Sequence, residues 1–313
     1  MRLVFLGNDP WSVPPLEALV ARRGFDVPVV ITNPPRRAGR GSRLTPTAVA
    51  DAARRLGLRV IEVDSVRQGA GFNAIGQAKS DAMVVVAYGE LLSSEVLALA
   101  RLGAVNIHFS LLPRWRGASP VQHALLAGDR RTGVTLIQMD RGLDSGPILA
   151  TATEAVLATD DAGSLGARLS RAGAELVSQT LPGYVSGALK PRPQADDGVT
   201  HAPKLGPADR LIEWDQSAQT VLARVRALSP SPGARTSFRG ETLKVLVVEI
   251  STSTSSPTTF EPGTVVSVDD QGTLIAAGSG CVRLVLVAPQ GRKHMSGADW
   301  VRGTRIRPGE RFG

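Results

Sequence analysis

The chain has a single cysteine, Cys281, so no intramolecular disulfide can brace it. Its apolar setting, CVRLVLV, reads as a half-buried strand position. Aromatic residues make up only 4% of the sequence, too few to suggest a stacking platform for single-stranded nucleic acid. The histidines His108, His123, His201 and His294 are scattered without the spacing of a zinc site, and no metal is expected. No apolar run approaches the roughly 18 residues that span a bilayer, so no membrane partner is expected either. The opening MRLVFLG reads as a short strand running straight into turn residues rather than as a leader, which points to a cytoplasmic protein. No P-loop is present, and no G-x-G-x-x-G opens a helix after the first strand. The glycines at 69–76 precede no phosphate-binding helix, so nicotinamide and flavin chemistry are disfavoured.

What the chain does have is an excess of positive charge. Lysine and arginine number 36 against 28 acidic residues, a formal net charge of +8. That balance suits a polyanionic partner, although basic enzymes without one are common. A length of 313 residues implies two domains rather than one small core.

The first half alternates β-branched runs with helical patterns. Strands are expected at 2–7, 26–32, 58–63, 81–89, 102–110, 133–140 and 146–156, with helices at 14–24, 47–57 and about 161–188. A long polar loop fills 33–46. The run DAMVVVAYG is apolar on both faces, as a central strand of a covered parallel sheet should be. This predicts an α/β fold, doubly wound, mostly parallel and Rossmann-like, over residues 1–188.

Residues 189–206 are polar, with Pro191, Pro193 and Pro203 followed by Pro207, and read as an extended linker. Beyond them the pattern changes. An amphipathic helix over 215–228, with Asp215 as its N-cap, precedes four short strands separated by turn signals such as DDQG. Such spacing predicts a small, OB-like β-barrel over 207–313, with STSTSSPTT (251–259) as a flexible hairpin tip.

The stretch NIHFSLLPRWRGASPVQHAL (106–125) carries the chemistry. Asn106 and His108 are two apart, so on a strand their side chains share a face. They fall at the carboxyl end of an expected parallel strand, where open α/β sheets build their sites. An amide and an imidazole projecting together can hold an oxyanion and move a proton. Alternatively, His108 is a satisfied core histidine and Asn106 caps a loop. Downstream, MDRGLDSGPIL (139–149) places Asp140 and Asp144 in a glycine-punctuated loop between strands. Asp140 reads as turn chemistry, while Asp144 can pair with His108 if the loop folds over the strand end.

These segments together resemble the formyltetrahydrofolate-dependent formyltransferase superfamily, whose motif is Asn-x-His-x-Ser-Leu-Leu-Pro with a later aspartate. The resemblance is nearest to the branch that formylates methionine on initiator tRNA. It extends to VVVAYGELL (84–92), RRAGRGSRLTP (36–46), VTHAPKL and IEW (199–214), GRKHMSGADWVRG (291–303) and PGERF (308–312), in order along nearly the whole chain. Two departures stand out, Phe109 where many members have a small residue and GNDPW in place of Gly-Thr-Pro in the first turn.

The resemblance implies 10-formyltetrahydrofolate as co-substrate, no metal, and initiator methionyl-tRNA as the partner of an expected monomer. It makes Asn106, His108 and Asp144 catalytic. Ser110, Leu111, Leu112 and Pro113 become a folate-contacting turn, and Val86, Tyr88 and Leu91 part of the pterin wall. The loop bearing Arg36, Arg37, Arg40 and Arg43 is assigned to the acceptor stem, with Arg40 the leading contact. On the barrel, Lys244, Arg292 and Lys293 are candidate tRNA contacts, as are Arg283, Arg302, Arg305 and Arg307. A rival reading is formylation of a small amine, such as glycinamide ribonucleotide or an amino-sugar nucleotide. The basic loop and second domain argue against it, because a small substrate needs neither. A non-catalytic RNA-binding protein would have no use for the Asn–His–Asp set.

Overall fold

The computed structural model describes residues 1–38, 43–251 and 260–313. The first elements are β1 (Arg2–Gly7), α1 (Val13–Ala21), β2 (Asp26–Thr32), β3 (Arg36–Ala38), β4 (Arg43–Thr45), α2 (Ala48–Arg55) and β5 (Val60–Glu62). There follow α3 (Gly69–Ala78), β6 (Ala82–Val86), α4 (Ser94–Leu97), β7 (Ala104–His108), α5 (Pro120–Leu126), β8 (Arg131–Gln138), β9 (Ile148–Ala155) and α6 (Ala162–Val185). Beyond them lie α7 (Ala218–Leu228), β10 (Ala234–Phe238), β11 (Glu241–Ile250), β12 (Val265–Asp269), β13 (Gly272–Ala276), β14 (Cys281–Pro289), β15 (Met295–Ser296) and α8 (Gly297–Thr304).

The chain divides into two compact units, one holding 1–120, 131–155 and 166–203, the other 121–130, 156–165 and 204–313. In the first, a seven-stranded sheet runs in the order β5-β2-β1-β6-β7-β8-β9. β5 through β7 pair in parallel, whereas β8 and β9 form an antiparallel edge. The order turns back at β1, which lies between β2 and β6; such a reversal is where doubly wound sheets open a crevice. Every residue of β6 is buried, matching its unbroken apolar run. Each such valine contributes on the order of 1.5–3 kcal/mol when removed from water. α2 starts where Thr47 accepts a hydrogen bond from the Ala50 amide (3.0 Å) and ends on Arg54 and Arg55, which complement the helix dipole.

The polar loop expected over 33–46 contains a short hairpin, with Arg36 opposite Thr45 and Arg37 opposite Leu44. Residues 189–203, which read as an extended linker, are hydrogen-bonded within the first unit. Arg192 and Ile148 exchange backbone hydrogen bonds of 2.6 and 2.8 Å, and the Ala202 amide donates to the Arg116 carbonyl at 2.7 Å.

In the second unit the antiparallel order is β10-β11-β14-β13-β12, with β15 on β14. Isolated bridges from Thr264 to Arg311 and from Phe238 to Phe312 carry the pairing from the residue before β12 round to β10. Inside, Trp214, Phe238, Trp300 and Phe312 form an aromatic cluster with centroids 4.8 to 5.9 Å apart along its contacts. The Trp214 indole satisfies its N–H on the Thr236 hydroxyl at 2.9 Å. α7 is capped by Ser217, not by the expected Asp215: the Ser217 hydroxyl accepts from the Thr220 amide at 3.1 Å. The expected tip STSTSSPTT lies, but for Ser251, outside the described residues.

Candidate active site

Asn106 and His108 project from β7 on one face, while Ile107 and Phe109 face the other. There, a Cβ built on Gly173 of α6 would press on the Ile107 side chain at 2.8 Å. Phe109 also meets Trp11 edge-on, centroids 6.0 Å apart. The bulky Phe109 therefore belongs to the packing behind the site.

The chain leaves β8 with the Met139 amide bonded to the Ala104 carbonyl (2.8 Å) and returns as the loop 140–147. Its two aspartates separate cleanly. Asp140 accepts from the Gly142 amide and the Ser145 hydroxyl, each at 2.9 Å, and shapes the turn. Asp144 turns to the strand: Oδ1 accepts from the Asn106 amide at 3.0 Å, and Oδ2 accepts from the Gly117 amide at 2.9 Å. Oδ2 also lies 3.5 Å from His108 Nδ1, in surroundings that leave the two side chains 12% and 5% exposed. Asp144 has a φ of +50°, in the left-handed region. The loop also needs Gly146, since a Cβ there would overlap the Gln138 carbonyl oxygen.

His108 Nε2 lies 2.8 Å from the Trp115 carbonyl oxygen. A carbonyl only accepts, so Nε2 donates, and Nδ1 faces a carboxylate. Both ring nitrogens thus face acceptors, the Trp115 carbonyl and the Asp144 carboxylate. Neither Trp115 nor Gly117 was readable as a partner, because backbone groups leave no side-chain signature in sequence.

The turn after β7 is knit from within. Ser110 donates its hydroxyl to the Arg114 carbonyl (2.6 Å), and the Thr135 hydroxyl donates to the Ser110 carbonyl (2.7 Å) while accepting from the Leu112 amide (3.1 Å). Ser110 and Leu112 are buried in this network, and Leu111 and Pro113 are half-buried. The Leu112–Pro113 peptide is cis.

At the end of β6, Val86 is buried and its carbonyl accepts from the Ser12 hydroxyl at 2.8 Å. The Tyr88 side chain packs into the core, where its hydroxyl has no hydrogen-bond partner among the described residues; burial, with Glu90 and Asp64 nearby, raises its pKa. Leu91, by contrast, is exposed. Asn8 explains part of the unusual first turn. Its Nδ2 donates to the Tyr88 carbonyl, and its Oδ1 accepts from the Thr32 hydroxyl (2.9 Å) and the Asn33 amide (2.7 Å). One side chain thus ties together the ends of β1, β2 and β6.

Arg36, Arg37 and Arg43 are exposed on the β3–β4 hairpin, and Arg40 lies outside the described residues. In the second unit Arg292, Lys293, Arg305 and Arg307 are exposed and Lys244 is half-buried. Arg283 pairs with Asp269 and Arg302 with Asp299. Among the described residues no three His, Cys, Asp or Glu side chains lie together as a metal site. No helix there is long and apolar enough to cross a membrane.

The family described as formyl transferase matches residues 1–181, and the formyl transferase C-terminal domain matches 204–305. The chain belongs to the formyl transferase family. As a formyl transferase it moves a one-carbon group, and its family uses a folate carrier. The methionyl-tRNA formyltransferase of Thermobifida fusca is 44% identical over 313 residues, covering 100% of this chain and 99% of that protein. Solved structures share the fold. HypX from Aquifex aeolicus, in complex with tetrahydrofolic acid, has a TM-score of 0.63 at 18% identity, over 96% of this chain and 47% of its own. Methionyl-tRNA formyltransferase from Clostridium thermocellum has a TM-score of 0.56 at 14% identity, over 80% of this chain and 94% of that one.

Proposed function

We propose that this formyl transferase carries the formyl group of 10-formyltetrahydrofolate to the α-amine of methionine on initiator methionyl-tRNA. The observation that carries this reading is the end-to-end 44% identity with a methionyl-tRNA formyltransferase. The Asn106–Asp144–His108 cluster supports the chemistry. The unprotonated amine attacks the formyl carbon, and negative charge gathers on the formyl oxygen. The second amide hydrogen of Asn106 is available to that oxygen, because Asp144 takes only one. His108 joins by exchanging the Trp115 carbonyl for the substrate oxygen, a tightening common between free and loaded sites. Asp144 balances the imidazolium and accepts the proton leaving the amine, directly or through a water. Collapse then breaks the bond to folate N10, which takes up a proton.

In this reading Ser110 to Pro113 and the Val86–Leu91 wall hold folate. Arg36, Arg37, Arg40 and Arg43 grip the acceptor end, and the barrel, through Lys244, Arg292 and Lys293, holds the tRNA body. The enzyme works in the cytoplasm as a monomer. The test is transfer of labelled formyl from 10-formyltetrahydrofolate to initiator methionyl-tRNA, elongator methionyl-tRNA and glycinamide ribonucleotide. Strong preference for the initiator upholds the reading; activity on the small amine alone discards every claim about tRNA.

A further inference from the structure

The left-handed backbone of Asp144 is held from behind by a residue outside the catalytic cluster. Gln194 lies in the proline-rich segment, anchored two residues earlier by the Arg192–Ile148 bridge. Its Nε2 donates to the carbonyls of Asp144 (2.7 Å) and Gly146 (2.8 Å). Its Oε1 accepts from Arg116 Nε (3.1 Å) and Nη2 (2.7 Å). Both amide hydrogens and both oxygen lone pairs are therefore used, and the neighbours fix which end of the amide is which. Arg116 is itself fixed, its amide donating to the Thr200 carbonyl at 2.9 Å. The next residue, Gly117, is the one whose amide meets the Asp144 carboxylate. A closed circuit thus runs from the Asp144 carboxylate through Gly117, Arg116 and Gln194 to the Asp144 carbonyl.

We infer that Gln194 is a positioning residue for formyl transfer, its carboxamide, oriented by Arg116, holding the Asp144 loop so that the carboxylate meets Asn106 and His108. A non-glycine residue keeps a positive φ only where its surroundings over-determine it, and these two carbonyl contacts do so at the residue concerned. Glutamine is the side chain that fits. Glutamate has the same shape and would keep the Arg116 partner, but it has no hydrogen to offer the two carbonyls. The inference rests on Asp144 being the carboxylate of the proposed reaction.

The test compares Gln194→Ala, Gln194→Glu, Asp144→Asn and the Gln194→Ala/Asp144→Asn double variant in steady-state formyl transfer, with thermal unfolding as a check on folding. Both Gln194 variants are expected to lose roughly ten- to a hundredfold in kcat, the usual effect of removing an outer partner, while KM for folate and tRNA stays put. In the Asp144→Asn background the Gln194→Ala loss should vanish, because Gln194 acts only through Asp144. Full kcat in both Gln194 variants beside an inactive Asp144→Asn overturns the positioning role alone. A Gln194→Ala loss that persists undiminished on Asp144→Asn also overturns it, as general damage. Full activity of Asp144→Asn overturns the reading of the site, and the inference with it.

Discussion

Asn106 and Asp144, 38 residues apart in the chain, are joined by a 3.0 Å hydrogen bond from amide to carboxylate. That bond orients the amide, whose other hydrogen the proposed mechanism directs at a substrate oxygen. Asp144→Asn keeps the side-chain shape and tolerates the left-handed backbone while removing the charge. It should lower kcat on the order of a hundred- to ten-thousand-fold with little change in thermal midpoint. Single-turnover formyl transfer measures this, and activity within tenfold of the parent would remove Asp144 from the mechanism.

The arginine hairpin makes a prediction of a different kind. Arg40→Ala should raise KM for methionyl-tRNA and leave KM for the folate unchanged. If the hairpin grips phosphates, each removed arginine should also flatten the log–log salt dependence of tRNA binding by about one unit. Equal losses toward both substrates would place Arg40 in the folate site instead.

Two neighbouring substitutions separate the rival caps of α7. Ser217→Ala removes the acceptor for the Thr220 amide and should cost about 1 kcal/mol. Asp215→Ala, at an exposed residue, should change stability by no more than about 0.5 kcal/mol. Urea unfolding of the two variants decides between them, and the reverse ranking would restore Asp215.

Asp9 predicts a pH effect. Burial raises its carboxyl pKa, against the Trp11 amide that it accepts from at 3.0 Å. A carboxyl whose pKa is raised in the folded state loses native stability as pH climbs from the unfolded value through the folded one. Asp9→Asn keeps an acceptor for the Trp11 amide and removes that penalty. Its thermal midpoint should exceed the parent's at neutral pH, and the gain should shrink as pH falls through the acidic range. A gain independent of pH would point to another cause.

Much of this was readable from sequence where composition alone decides. The unbroken apolar run of β6 and the two-residue spacing of Asn106 and His108 needed no partner to be interpreted. Direction was less legible: alternation marks β8 and β9 as strands without saying that β8 runs antiparallel to β7 and β9 antiparallel to β8. The helix α3 hid because Gly69, Gly71 and Gly76 weaken its helical signal. The cap on α7 was misplaced by two residues because Asp215 and Ser217 are both good capping types, and only the chain's path selects one. The remaining partners of the cluster were least legible. They are the Gly117 amide and Gln194, a glutamine among prolines, at Asp144, and the Trp115 carbonyl at His108.

The return of residues 189–203 across the first unit bears on how the protein can be dissected. A fragment cut at 188 would retain Asn106, His108 and Asp144 yet lose the Thr200 and Ala202 strands of support under Trp115 and Arg116, along with Gln194. A fragment meant to keep that support should therefore extend to Pro203, and a peptide spanning 189–203 is the natural complement to offer a shorter one.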